Sequence, residues 1–323
     1  MRGPSAIARI GSLRPRGPDE ALSGAPIGIV PIVWNNADLP DLAPPESADN
    51  LFAEIARLGF EGIQLGEGFP ADDALSEALT AHGLRLAEAY VELPCNAEGP
   101  TGAALEIGRR RLAELHAGGG DVLTVALNRA AERDAWVGRA AEAPRLTDLG
   151  LRALAATLET LATESLALGH PLAFHNHAAT YVEDEAEIDR LVASTDPTLV
   201  GLCLDVGHAL VGGADPLAII GRHGRRIIHV HLKDVAPEPL LALREGRLTG
   251  FEPALRARIF APLGSGILDL PAVLAALDAL RYEGWLMVEQ DTSWEPPSEA
   301  AAIGRRVLDA MLRWSVSQPG SAA

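Results

Sequence analysis

The chain has 323 residues, of which 48% are hydrophobic and 22% charged, and its formal net charge is −17. That apolar fraction supports a sizeable core and excludes a largely disordered chain. The negative field repels phosphate backbones and anionic lipid heads, and no basic patch stands out against it, so nucleic acid and membrane surfaces are excluded as partners.

The stretch through Gly24 has no apolar core of signal-peptide length, and no later run is long enough to span a membrane. A cytoplasmic protein is expected, with a flexible extension over 1–25, one domain over 26–316 and a flexible tail over 317–323. The size does not force two domains, because barrels of alternating strands and helices commonly occupy about 250 residues. Cys95 and Cys203 are too few and too far apart for a disulfide framework or a thiolate metal site, and Cys203 reads as a small core residue.

From Ile27 onward, β-type runs alternate with helical patterns. The first strand, 27–34, runs into Trp34, Asn35 and Asn36, an aromatic platform with amides that suits a polyhydroxylated ring; a buried tryptophan is the alternative. Helix 47–58, strand 61–66, helix 71–82, strand 84–91, helix 103–118, strand 121–127 and helix 147–168 follow. Gly59, Gly83 and Gly169 end three of these helices just before a strand. Strand 171–176 contains His175, helix 184–195 succeeds it, strand 199–205 ends at Asp205, and helix 215–224 precedes strand 227–232 with His229 and His231. A connection of roughly thirty residues then leads toward helix 270–280, and a loop of that length beside a site reads as a lid. Strand 284–290 carries Glu289, and helix 297–314 closes the pattern. Eight strands and eight helices in strict alternation predict an α/β fold, the (β/α)8 TIM barrel, with a long loop after strand 7. A doubly wound sheet is the competitor, but GIVPIVWNN stands where its Gly-rich phosphate loop belongs.

Four apolar strands carry a polar residue at or near the end: His175 after PLAF, Asp205 after VGLCL, His231 inside IIHVHL and Glu289 after WLMV. An unpaired imidazole or carboxylate there costs several kcal/mol of desolvation, and barrel strands finish on one face, so the four are expected to share a cation. Taken singly, Asp205 reads equally as an N-cap, His231 as a satisfied core histidine, Glu289 as an arginine partner and His175 as locally bonded. Together they suit one divalent metal ion, Mn2+ or Co2+ first and Zn2+, Fe2+ or Mg2+ after, rather than Ca2+. Four protein ligands on an octahedral ion leave two positions for substrate or water.

Strand parity puts His177 and His229 on the same side as His175 and His231, where they are expected to bind substrate. His208, three residues after Asp205, is expected to contact substrate or to move a proton, and Asn176 and Gln290 are expected to be structural. Glu183 binds substrate or caps the next helix. Lys233 is the single lysine among 27 basic residues. An ammonium, unlike a guanidinium, can lose its proton when buried, so a proton-transfer role is expected.

The segments LDVGH (204–208), HVHLKD (229–234), PLGSGILD (262–269) and GWLMVEQD (284–291) resemble the sugar phosphate isomerase/epimerase superfamily, the xylose-isomerase-like TIM barrels. GIVPIVWNNADLPDL (28–42) and FHNHAATYVEDEAEIDRL (174–191) resemble its inosose dehydratase branch, and the likeness runs from Ile27 to about Trp294. It implies a carbon–oxygen lyase or sugar isomerase/epimerase of carbohydrate metabolism, such as inositol catabolism. One divalent cation would sit on His175, Asp205, His231 and Glu289, and the substrate would be a small sugar or cyclitol. A homo-oligomer is compatible with it.

Many members carry a glutamate in an ENH motif where this chain has His175 in HNH. Epimerases of the superfamily use two metal-bound glutamates, and an imidazole tied to the ion by one nitrogen is a poor second base, so one-base chemistry is implied. A dehydratase needs just that: a base for the proton beside the ketone and an acid for the departing hydroxyl. Glu289, or water on the ion, is the expected base, and His208 or Lys233 the expected acid. The branch pattern places proline or histidine between the two strand-five histidines and a glycine soon after. Asn176 and Ala178-Ala179 stand there instead, which leaves room for another cyclic or open-chain ketose. The competing readings are a ketose or sugar-phosphate isomerase working through an enediolate, an abasic-site endonuclease, and a catalytically inactive sugar-binding barrel.

Overall fold

Apolar runs too short to bury themselves as helices pair in parallel into one closed sheet. In chain order these are β1 Ile27–Ile29, β2 Gly62–Gln64, β3 Arg85–Leu93, β4 Val122–Leu127, β5 Leu172–His175, β6 Val200–Asp205, β7 Ile227–Leu232 and β8 Leu286–Val288. The ring closes where Ile27 of β1 lies opposite Leu286 of β8. The expected (β/α)8 barrel is therefore the fold of this chain. The computed structural model describes residues 22–42 and 44–316. Most of the expected N-terminal extension and the whole expected tail lie outside the described residues. Leu22 is buried, and its N–H donates to Asp278 Oδ1 at 2.7 Å, so ordered packing reaches ahead of the expected domain start at residue 26.

The helices fall where the spacing of apolar residues puts them, and their first turns are capped from the sequence. Ser47 accepts from Asn50 N, Thr147 from Gly150 N and Asp269 from Ala272 N, while Asp184 and Glu187 form a reciprocal capping box. Strand β1 stops earlier than expected because Pro31 has no N–H for the ladder and opens a 3-10 turn, Pro31–Val33. Inside the barrel, Trp285, Met287, Ala87 and Val30 fill the floor. Gly62 makes room for that packing, since a Cβ there would come within 2.5 Å of the Trp285 ring. Cys203 is a buried free thiol in the wall, as expected of a core residue.

The long connection after β7 is not an unstructured lid. Asp234–Val235 pairs antiparallel with Phe260–Ala261, and helices Pro237–Arg244 and Phe251–Arg256 lie between them. The segment has enough apolar residues to bury a small core of its own, with Val235, Leu240, Leu243, Phe251, Leu255 and Phe260 packed against Leu39 and Val137. Asp234 fastens it by accepting from the backbone N–H groups of Val235, Gly264, Gly266 and Leu268 at 2.8–2.9 Å. The result is a folded cap. No helix among the described residues is long and apolar enough to cross a membrane.

Candidate metal centre and its cavity

Parallel register brings the ends of β5 to β8 to one level. His175 lies opposite Cys203, Asp205 opposite His231 and Met287 opposite His231, which leaves Glu289 just beyond β8. The four expected donors do converge: one ligand atom from each of His175, Asp205, His231 and Glu289 lies within 4.8 Å of the others. His231 Nδ1 is 2.7 Å from Glu289 Oε2 and 3.9 Å from Asp205 Oδ2, and His175 Nε2 is 3.6 Å from the same Asp205 oxygen. Asp205 also caps the helix Val206–Val211, Oδ1 accepting from His208 N at 2.7 Å, so the N-cap reading is correct as well. Its Oδ2 is buried and has no hydrogen-bond partner. A buried carboxylate oxygen with no hydrogen bond, 3.4 Å from the Lys233 ammonium and close to two imidazoles, is a group a cation would satisfy.

Charge makes the same point. The carboxylates of Glu88, Asp205 and Glu289 are buried here together with Asp291, whose carboxyl burial pushes up to about 8. The positive charge among them comes from the Lys233 ammonium and from His231, held despite burial well above its ordinary value by the carboxylates beside it. The donor set of two imidazoles and two carboxylates fits a divalent ion of the N/O-binding kind. Asn176 braces it, donating from Nδ2 to Asp205 O at 3.0 Å and accepting from Asp205 N at 3.1 Å. Gln290 bonds to Thr292 O, and both amides are structural, as expected.

Lys233 differs from expectation. Burial disfavours its charge, but Asp205, Asp291 and Glu289 outweigh that and hold the ammonium charged, well above its ordinary range. It is buried behind the donors with Phe260 over its Nζ, away from the cavity wall. His208 is likewise behind the wall, with Nε2 2.9 Å from Lys233 Nζ and Nδ1 3.3 Å from Ala178 N. Burial, then His177 and Lys233, press its pKa well below the ordinary value and keep the ring neutral.

Above the donors opens a cavity of about 240 Å³. His175, His231 and Glu289 form its floor, Tyr90, His177 and Asp291 its inner walls, and Asp38, Glu67, Glu92 and Arg111 its outer part. His177 Nδ1 lies 2.8 Å from Ala178 O, and its ring stacks on His208 at 3.8 Å between centroids, with Phe251 of the cap beside both. Tyr90 stands edge-on to His175, and its hydroxyl donates to Glu92 Oε1 at 3.2 Å.

Four expected substrate contacts need correction. Trp34 is buried outside the cavity wall, as the alternative had it. His208 stands behind His177. His229 is fully buried one layer deeper, against Glu88, because strand parity fixes the side a residue faces but not its depth. Glu183 is buried 3.4 Å from Arg133, accepts from Ala179 N at 3.0 Å, and is pushed up to about 8 by burial; Asp184 is the residue that caps the helix. Asn35 does reach the wall, although both ends of its amide are tied to the backbone of Glu46. Sequence reasoning missed Glu88, Tyr90, Glu92 and Asp291. The signal for Glu88 was present, since a carboxylate inside LRLAEAYV carries the same desolvation cost that singled out Asp205.

A donor set for a divalent ion beneath an open cavity, at the strand-end face of an eight-stranded barrel, is the layout of a metal-site TIM barrel. The chain belongs to the xylose isomerase-like TIM barrel family, whose profile matches residues 52–311. It is 34% identical over 294 residues to the rhizopine catabolism protein MocC of Rhizobium meliloti, covering 90% of each chain. It is 33% identical over 288 residues to the inosose dehydratase of Geobacillus thermodenitrificans, covering 87% of this chain and 95% of that one. Among solved structures, the IOLI protein with a bound zinc atom superposes with a TM-score of 0.68 over 91% of this chain and 100% of that one; at 14% identity this speaks for the fold alone.

Proposed function

We propose that this protein is a metal-dependent carbon–oxygen lyase that dehydrates a neutral cyclic polyol ketone of the inosose type. The observation that carries the reading is the convergence of His175, Asp205, His231 and Glu289 on one point beneath the cavity. The likeness to an inosose dehydratase over most of both chains supports it. The four residues would hold one divalent ion, Mn2+ or Co2+ in the first place and Zn2+ in the second. Bound there, the ion would polarise the substrate carbonyl and acidify the neighbouring C–H.

Glu289 borders the cavity, with Oε1 3.1 Å from the Lys233 ammonium, and takes that proton. The departing hydroxyl needs a proton from the cavity wall, which His208 and Lys233 do not reach. His177 carries its proton on Nδ1 toward Ala178 O and turns the Nε2 lone pair outward, so it accepts from a substrate hydroxyl. Tyr90 and Asp291 are the remaining acid groups of the inner wall. Burial, Glu92 and Glu289 keep the Tyr90 phenol protonated, with its hydroxyl donating to Glu92, and burial pushes the Asp291 carboxyl up to about 8, so that it too holds a proton at neutral pH.

The wall carries the acidic residues Asp38, Glu67 and Glu289, with Glu92 and Asp291 shifted by burial toward their protonated forms, whereas its cation, Arg111, is paired with Glu114 at 3.0 Å. A phosphate dianion would enter against that field, which favours a neutral ketose over a sugar phosphate. The activity is assigned to one domain, acting in the cytoplasm in cyclitol breakdown. The test is to incubate manganese- or cobalt-loaded protein with 2-keto-myo-inositol and follow the ultraviolet absorbance of an unsaturated diketone. Its appearance supports the lyase, deuterium exchange from solvent without loss of water points to an isomerase, and neither event with a range of neutral ketoses overturns both.

A further inference from the structure

Beneath the four donors the barrel holds a second polar layer. Glu88 of β3 and His229 of β7 are both fully buried. Glu88 Oε1 lies 2.7 Å from His231 Nε2, whereas Oε2 lies 3.3 Å from His229 Nε2 in a close contact without hydrogen-bond alignment. Each of the two reaches the barrel axis beside an irregularity in the sheet. Between β2 and β3 the register passes from Ile63 opposite Leu86 to Gln64 opposite Glu88, skipping Ala87. Between β6 and β7 it passes from Leu202 opposite Ile227 to Cys203 opposite His229, skipping Ile228. A bulge breaks the ladder locally and re-aims a side chain.

Space filling does not explain two bulges that deliver the two members of one buried pair. Ala87, Val122 and Ala173 fill the neighbouring interior without any desolvation cost, and a buried carboxylate in their company is expensive unless it has a task. The task is visible at His231. Its Nδ1 faces Asp205 and Glu289, and its Nε2 faces Glu88. A neutral imidazole has one N–H and one lone pair. With the N–H given to Glu88, the lone pair would be left at Nδ1 for a cation, at the point where Nδ1 now lies 2.7 Å from Glu289 Oε2.

We propose that Glu88 is a positioning residue that fixes the tautomer and orientation of His231, that His229 holds Glu88 in place, and that the pair thereby sets how tightly the site grips a divalent cation. The inference rests on the metal reading above and is independent of the reaction. Carboxylates that orient a metal-binding histidine typically change metal affinity by about 10–100-fold when altered. The competing view is a second ion held by Glu88, His229 and His231, which also offer donor atoms within 4.8 Å of one another.

The experiment uses full-length protein, stripped with a chelator and titrated with Co2+, read by calorimetry and by the visible cobalt spectrum. Wild type and Glu88→Gln should each take one ion per chain, the variant roughly 10–100-fold more weakly and with a shifted band. His229→Gln should shift both readings in the same direction by less, and it carries the test if the first variant does not fold. Unchanged affinity and spectrum in a folded variant overturn the proposal. Two ions in wild type and one in Glu88→Gln also overturn it, since Glu88 would then be a ligand. Wild type that takes up no cobalt sinks the metal reading itself.

Discussion

Lys233 Nζ lies 2.6 Å from Asp291 Oδ1, and the same ammonium lies 3.1 Å from Glu289 and 3.4 Å from Asp205. The only lysine of the chain therefore serves as the fixed counter-charge of the site. Breaking a buried charge arrangement by removing one partner costs about 3–5 kcal/mol. Lys233→Met should destabilise the metal-free protein by that order in urea unfolding, and added Mn2+ should recover part of the loss by replacing the missing positive charge. An unfolding midpoint equal to wild type would contradict this role.

Gly207 packs against the stem of that lysine. A Cβ at position 207 would lie 2.7 Å from both Cβ and Cγ of Lys233, which is buried and has no free space to retreat into. Gly207→Ala should cost about 1–3 kcal/mol, as overpacking does, and should weaken metal binding by displacing Lys233 from Asp205 and Glu289. Thermal unfolding and metal titration of the variant check both effects.

Ala179 adopts φ 62, the left-handed region, at the place where the inosose dehydratase pattern has a glycine nearby. Glu183 Oε2 holds its N–H, and Ala130 N donates to its carbonyl at 2.9 Å. Left-handed backbone costs a non-glycine residue about 1–2 kcal/mol, against about 0.5–1 for the added freedom of glycine in the unfolded chain. Ala179→Gly should leave stability equal or raise it by up to about 1 kcal/mol. A clear loss in unfolding free energy would show that the alanine methyl contributes more than its backbone costs.

The barrel was legible because periodicity and glycine punctuation act over short range. Each of the expected strands and main helices formed, and only ends such as Pro31, where a missing N–H decides, were misplaced. The four donors were legible for a different reason: a charged group in an apolar strand demands a partner, and parallel strands deliver all such groups to one face. Depth and sealing were not legible. His229 shares the side of His231 but sits beneath it, and His208 and Lys233 are screened from the cavity by His177 and the cap, contacts made between residues distant in sequence. The cap itself read as a loop because its helices are short and its core is completed only by Leu39 and Val137.

Glu183 supplies a pH dependence remote from the donors. Burial, with Glu187 nearby and Arg133 opposing, pushes its carboxyl up to about 8 from an ordinary 4.5. The folded chain therefore binds this proton more tightly than the unfolded chain does. Its contribution is complete below the ordinary value and is lost as pH rises toward about 8. Between about pH 5 and about pH 9, wild type should lose a few kcal/mol more than Glu183→Gln, whose amide does not ionise. Parallel pH profiles of the urea midpoint would contradict the assignment.

The most direct test of the account is the metal content of wild type and Asp205→Asn after dialysis against Mn2+, Co2+ or Zn2+ and removal of loose ions. Asparagine keeps the N-cap for His208 N, so the variant should fold, while the carboxylate charge offered to the ion is lost. Wild type should hold about one ion per chain and the variant almost none. Wild type without stoichiometric metal, or a variant that keeps it, would contradict the claim that His175, Asp205, His231 and Glu289 share a cation.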